Sequence, residues 1–226
     1  MQDNFNPLKI AIVGGTGKEG RGLAYRWAKA GHLVTIGSRD PSKAMESASE
    51  LNKLLPGKSI NGMANIDAIK DCQVVVLTVP YSAHKETLES LNGFLLDKLL
   101  IDVTVPLNPQ KKTKVQMPSA GSAAQETCLI LGSTIQVAAA FHNISYENLI
   151  TDNHKVDCDV LVTGTSIEVR QATLGLVKDA GFYGWDAGPI ENSVVLEGLP
   201  SILIWINRSY GSTRAGIRIT GVERTD

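Results

Sequence analysis

The chain has 226 residues, 43% of them hydrophobic, and a formal net charge of −1. That length admits one large domain, or a large and a small one, of ordinary soluble composition. The near-neutral balance gives no global field to attract nucleic acid or an anionic membrane surface. The most apolar run, Val194 to Ile206, contains Glu197 and Pro200 and is too short to span a bilayer.

The chain opens MQDNFNPLKI, with no basic start followed by an apolar stretch, so no signal peptide is expected. Lys9-Ile10-Ala11-Ile12-Val13 predicts a strand, and Gly15-Thr16-Gly17-Lys18-Glu19-Gly20 follows at once as G-x-G-x-x-G. Leu23, Ala24, Trp27 and Ala28 then fall on one helical face, with Gly31 as the stop, and Leu33-Val34-Thr35-Ile36 is a second strand. Strand, glycine turn, helix and strand in this order are the setting of a dinucleotide site. Gly15 allows the tight turn, Gly17 lets a diphosphate approach the backbone, and Gly20 lets helix and strand pack closely. The phosphates would meet unpaired N–H groups at the positive end of the helix.

The second strand runs out at Gly37-Ser38-Arg39, where an NAD site would carry Asp or Glu for the ribose. Arg39 can lie on the adenine and meet a 2′-phosphate. Ser38 can add a hydroxyl bond and Lys43 a point charge. Asp40, just before Pro41, better suits a helix cap than a ribose partner. These residues favour NADP over NAD; the alternative is that Arg39 and Lys43 are solvated surface charges.

Ser42 to Leu55 reads as a helix, Ser59 to Met63 as a third strand, and Ile66 to Lys70 as a brief helix. The apolar β-branched run Gln73 to Val79 predicts a strand buried on both faces of a parallel sheet. Ala83 to Leu91 is helical and Lys98 to Val103 is the fifth strand. The alternation predicts an α/β fold of Rossmann type: a doubly wound, mainly parallel sheet with ligands at the carboxyl ends of its strands. Val79-Pro80 and Val105-Pro106 lie just past two of those ends. They act as strand stops, as an apolar edge along the cofactor's ribose and nicotinamide, or as both.

Asn108 to Ser122 is a polar loop whose Lys111, Lys112 and Lys114 are solvated or attract an anionic substrate tail. Ser122 to Leu131 is the next helix and Thr134 to Ala139 the sixth strand. Phe141-His142-Asn143-Ile144 follows at a strand end, so His142 is read as either structural or in touch with the reacting ring. From Asp159 the pattern renews: a strand at Val160 to Thr163, a helix at Ile167 to Asp179, and a short strand at Phe182 to Trp185. A long apolar helix spans Pro189 to Tyr210, with a kink expected at Pro200, and a final strand is placed at Gly216 to Val222. The wide apolar face of the long helix suits burial or a subunit contact. Residues 1–141 are expected to form the NADP-binding domain and 142–226 a small C-terminal α+β extension closing the hydride-acceptor pocket. Cys72, Cys128 and Cys158 fit no C-x-x-C, as expected of reduced thiols in a cytoplasmic protein. His32, His84, His142 and His154 are scattered and suggest no metal site.

Taken together, several stretches resemble one family. They are Gly14-Gly15-Thr16-Gly17 with Gly20 and Gly22, Gly37-Ser38-Arg39 with Lys43, Ile60-Asn61-Gly62-Met63, Val79-Pro80, Val105-Pro106, Phe141 to Ile144 and Asp186-Ala187-Gly188-Pro189. The likeness, from Lys9 to about Ile219, is to the NADP oxidoreductases that use the deazaflavin coenzyme F420. The resemblance implies direct hydride transfer between stacked cofactors, with the protein supplying position and a dry slot. It also implies Thr16, Gly17 and Lys18 at the phosphates, Ser38, Arg39 and Lys43 at the 2′-phosphate, and Val79, Pro80, Val105 and Ile144 near the nicotinamide. A homodimer is expected partly on the same basis. Glu19 departs from the pattern: an apolar residue is common there, and a carboxylate turned inward would repel phosphate. Two other readings stay open. One is an NADPH-dependent reductase of a flavin or of a small carbonyl or imine, with Asp102 and His142 as proton donors. The other is a non-enzymatic NADP-sensing protein.

Overall fold

Alternating side chains on the first strand set the layout. Ile10 and Ile12 enter one apolar cluster, while Ala11 and Val13 enter another on the opposite face, as the two-residue period of a strand requires. The computed structural model describes residues 6–150 and 156–224. Its strands are β1 (Lys9–Val13), β2 (Leu33–Ser38), β3 (Ile60–Ala64), β4 (Val74–Leu77), β5 (Leu99–Asp102), β6 (Gln136–Ala139), β7 (Asp159–Gly164) and β8 (Tyr183–Pro189). They form one sheet in the order β3-β2-β1-β4-β5-β6-β7-β8. All neighbours run parallel except β6 and β7, which are antiparallel. Strand order reverses beside β1, which opens the crevice where such sheets take ligands.

The helices are α1 (Lys18–Ala30), α2 (Pro41–Asn52), α3 (Asn65–Ile69), α4 (His84–Leu91), α5 (Ala123–Leu131), α6 (Tyr146–Ile150), α7 (Ile167–Asp179) and α8 (Ser193–Tyr210). Leu23 and Trp27 of α1, Leu51 of α2, Leu149 of α6 and Leu176 of α7 share one cluster with Ile10 and Val34. Ile69 of α3, Leu88 of α4 and Ala124 of α5 share the other with Val13 and Leu77. The expected Rossmann-type architecture is therefore present. Beyond residue 141 the chain continues the same sheet, and Val160 and Phe182 join the cluster of Ile10 and Trp27.

Some boundaries differ from expectation. α2 stops at Asn52 rather than Leu55, because the Asn52 side chain accepts from Ile60 N–H at 2.7 Å and donates to its carbonyl at 3.0 Å. β8 runs on to Pro189, well past Trp185. α8 starts at Ser193 after a 3₁₀ turn at Ile190–Asn192 and is continuous across Pro200. Residues 216–222 form no strand. There the Asp159 carboxylate accepts from Ile219 N–H at 2.8 Å and Asp159 N–H donates to Ile217 at 2.8 Å, so a side chain takes over what a ladder would do. The short α6 had no signal in the pattern. His154 lies outside the described residues.

Candidate functional site

The turn after β1 is held from both sides. Gly15 N–H donates to Gly37 at 3.0 Å, and Gly14 N–H donates to the Asn65 side chain at 3.3 Å. Gly14 has φ 69°, a left-handed conformation that favours glycine. A Cβ on Gly20 would stand 2.6 Å from Gly15 Cα and 2.7 Å from Thr78 Oγ1, so only glycine lets α1 lie this close to β1 and β4. No side chain of the described residues caps α1 at Gly17, which leaves its first-turn N–H groups open to an anion. Lys18 does not reach forward. Its Nζ sits 4.3 Å from the centre of the Tyr146 ring and donates to Tyr146 Oη at 3.1 Å.

This turn is one wall of a cavity of about 600 Å³. Ser38, Arg39, Asp40 and Lys43 stand at the β2–α2 rim. Asp40 is turned to its own helix: it accepts from Ser42 N–H at 3.0 Å and from Ser42 Oγ at 2.6 Å, and Pro41 occupies the first helical position. The Ser42 hydroxyl bond, ahead of the Ser42 N–H bond, holds the Asp40 carboxyl below the usual range. It is thus the α2 cap, and Arg39 and Lys43 enter no salt bridge among the described residues. Lys43 still acts on the Asp40 charge, so the rim carries two cations beside one capping carboxylate.

From there the cavity runs past Thr78, Val79 and Pro80 to Val103, Thr104, Val105, Phe141 and His142, at the carboxyl ends of β4, β5 and β6. Phe141 takes φ 68°, a strained choice for a bulky residue. Its ring is fixed edge-on against Trp27 at 5.6 Å and Phe182 at 6.3 Å. The reversal carries His142 to the cavity wall. His142 is 7% exposed, and neither ring nitrogen has a hydrogen-bond partner. Burial, against a weaker pull from Asp102, lowers its pKa to about 4, so the imidazole is neutral at pH 7.

Glu19 also borders the cavity, and its Oε1 is buried with no hydrogen-bond partner. Burial pushes its pKa up to about 8. Asp102 has no exposed surface and does not border the cavity. One oxygen accepts from Thr104 N–H at 2.9 Å; the other lies 2.8 Å from His84 Nε2 and accepts from Thr127 Oγ1 at 2.7 Å. Burial alone would raise the Asp102 carboxyl, but these bonds and the imidazolium outweigh it and hold it low. His84 is correspondingly raised: Asp102 and Glu126 prevail over its desolvation. The pair ties β5, α4 and α5 together behind the site.

Of the residues expected in the site, Thr16, Gly17, Lys18, Glu19, Ser38, Arg39, Lys43, Val79, Pro80, Val105 and His142 line one cavity. Gly15 and Gly20 shape the turn from behind, and Ile144, 5% exposed, belongs to the core. Thr78, Tyr81 and Thr104 line the cavity from the two strand-end proline turns, and Phe141 lines it from the segment that carries His142. Asn65 lines it without having been foreseen; only its position just past the end of β3 could have signalled it.

An uncapped helix at a switch point, a basic pair at the β2–α2 rim and an apolar far end are the features of a Rossmann-type NADP-dependent oxidoreductase. Residues 9–106 match the family model described as NADP oxidoreductase, coenzyme F420-dependent. The chain is 36% identical to the F420-dependent NADP reductase of Methanocaldococcus jannaschii, over 96% of this chain and all of that one. It is 38% identical to the same-named protein of Methanothermobacter thermautotrophicus, over 95% and 96% of the two chains. Its fold matches the crystal structure of a candidate F420-dependent NADP-reductase from Arthrobacter sp. FB24, with TM-score 0.78, 24% identity and coverage of 94% and 99%. The chain belongs to the family of F420-dependent NADP reductases.

Proposed function

We propose that this protein is the oxidoreductase that transfers a hydride between NADP(H) and the deazaflavin coenzyme F420. The observation that carries the reading is one continuous cavity. It leads from the open N–H groups of α1 and the Arg39–Lys43 pair to the apolar strand ends around Val79, Val105 and His142. Its volume, about 600 Å³, suits a cofactor site. When bound, the reduced nicotinamide supplies the hydride and the oxidised deazaflavin takes it up together with a proton.

The chain's own part is binding, orientation and exclusion of water. The first turn of α1, at Thr16, Gly17 and Lys18, takes the diphosphate; Ser38, Arg39 and Lys43 take the 2′-phosphate. Val79, Pro80 and Val105 form a dry edge for the reacting rings, with Ile144 supporting it from the core. The neutral His142 adds no charge to that edge. A carbonyl or imine acceptor would need a placed proton donor; Asp102 has no exposed surface and does not border the cavity, and His142 is neutral at pH 7 with both ring nitrogens buried. In the same reading, residues 142–226 close the acceptor side of the pocket, and the protein works as a cytoplasmic homodimer. Exposed apolar residues on α8, Val195, Ile202 and Trp205, support the dimer, and no helix among the described residues is long and apolar enough to cross a membrane.

The test mixes the purified protein with NADPH and oxidised F420 and follows the bleaching of the deazaflavin. Bleaching that is faster with NADPH than with NADH is expected. A rate equal to the protein-free control removes the reading.

A further inference from the structure

Tyr81 borders the cavity at a place that neither phosphate group needs. It follows Pro80 on a 3₁₀ turn, Tyr81–Ala83, at the carboxyl end of β4. It is half-buried, with Pro80 and Ser82 exposed on either side. Val103 and Thr104, at the end of β5, are buried in the same cavity wall. Tyr81 therefore stands outward of them, nearer the mouth.

Its side chain is fixed by two neighbours. The ring stacks on His84, with centroids 5.8 Å apart and planes at 29°. His84 is itself buried and held: Nε2 lies 2.8 Å from Asp102 Oδ2 and Nδ1 lies 3.3 Å from Glu126 Oε2. Glu126 also acts on the Tyr81 hydroxyl. Desolvation first, then the charge and hydrogen bond of Glu126, push the phenol up to about 12, so Tyr81 stays a neutral donor toward that carboxylate. Glu197 of α8 adds a weaker negative charge in the same sense. Glu126 is on the first turn of α5. Because α5 connects the parallel strands β5 and β6, that turn sits at the carboxyl end of the sheet. The tether thus draws Tyr81 from the end of β4 toward the apolar strand ends and away from the Arg39–Lys43 rim.

We propose that Tyr81 is a binding residue for the planar ring of the hydride acceptor: its ring, backed by His84, forms a rigid aromatic side of the acceptor slot, and Glu126 is the residue that positions it. The inference rests on the F420 reading and deepens it. An aromatic ring contact adds to what burial supplies, and a ring already held in place loses little freedom when the acceptor binds.

The experiment measures NADPH affinity by fluorescence titration without F420, and KM and kcat for oxidised F420 at saturating NADPH. The variants are Tyr81→Leu, Tyr81→Phe, Glu126→Gln, Glu126→Leu and the double variant Tyr81→Phe/Glu126→Leu. Tyr81→Leu is expected to raise the F420 KM at least about fivefold by loss of the ring contact. The NADPH Kd and kcat are expected to change less than about twofold, because the lost contact is uniform binding of the acceptor. Tyr81→Phe keeps the ring and loses the tether, so its KM is expected to rise about two- to threefold. Glu126→Leu is expected to match it, and Glu126→Gln, which still accepts from the phenol, to recover most of the loss. The double variant is expected to be no worse than either single one, since both remove the same tie. An unchanged F420 KM in Tyr81→Leu overturns the proposal. So does a loss of NADPH affinity equal to the rise in KM, which would put the ring on the dinucleotide or mark a general loss of fold. Additive losses in the double variant overturn the role of Glu126. If Tyr81→Leu does not fold, Tyr81→Phe and the double variant decide the matter through the tether. A wild type that binds NADPH but does not bleach F420 instead removes the proposed function, and this inference with it.

Discussion

On the proposed NADP reading, Arg39 carries the choice between the two nicotinamide cofactors. It stands at the cavity rim with Lys43, and neither cation is spent on a salt bridge among the described residues. The one acid nearby, Asp40, is committed to Ser42 as the cap of α2. Replacing Arg39 by Asp removes a charge-assisted bond to the 2′-phosphate and adds repulsion. NADPH affinity is expected to fall by about 2 kcal/mol or more, some thirtyfold, with NADH affinity changed much less. Parallel titrations of the two cofactors decide it, and equal losses would remove the case for a 2′-phosphate site. Phe141 makes a comparable point about placement. Its ring is locked by Trp27 and Phe182, so the positive φ is held by packing, and the next residue is delivered to the cavity wall.

Among elements, α2 and β3 decide where the basic patch stands. Gly62 of β3 packs against the backbone of α2 so closely that a Cβ would overlap Ala44 and Met45 main-chain atoms, which cannot rotate away. Lys43 rides on the same turn of α2. Gly62→Ala is therefore expected to push α2 outward, lowering stability by roughly 1–3 kcal/mol and weakening NADPH binding through displaced Lys43. Thermal melts with and without NADPH measure both effects. A variant with unchanged melting and affinity would mean that this contact does not set the patch. α8 shows a different logic. Its buried face carries Glu197, Ser193 and Ser201 alongside Leu196 and Leu203. Glu197 accepts from Ala123 and Ala124 N–H at 2.6 and 3.0 Å, satisfying the start of α5, and Ser122 Oγ lies 2.6 Å from Ser193 Oγ. Polar side chains thus face inward because a helix end needs partners there.

At the scale of the molecule, that arrangement leaves α8 with apolar residues outside. Val195 is 60% exposed, Ile202 51%, Trp205 56% and Tyr210 81%. Exposed apolar residues on one helix support the proposed dimer. Trp205→Glu is expected to convert a dimer to a monomer in sedimentation velocity, by placing a charge in an apolar contact centred on a tryptophan, at a cost of about 2–4 kcal/mol. NADPH binding, whose cavity is lined by no α8 residue, gives the control for folding. A wild-type protein that sediments as a monomer at all concentrations would end the dimer reading.

The glycine turn and the basic rim of the cavity were legible in the residues because they are built locally. A strand, a glycine turn and a helix start are contiguous in sequence, so Gly15, Gly17, Gly20 and the Ser38–Lys43 patch follow from spacing alone. The parallel order of strands follows equally from their alternation with helices. What sequence could not supply were features made by distant segments meeting. Asp102 reads as a strand-end acid, yet its function in the fold is set by His84 and Thr127, from two other helices. The expected strand at 216–222 failed because Asp159, some sixty residues earlier, binds that tail with its side chain. Glu19 stands out in the sequence as a departure from the pattern, but only the packed structure determines that its Oε1 is buried without a partner, since desolvation is a property of everything around a group and not of its neighbours in the chain.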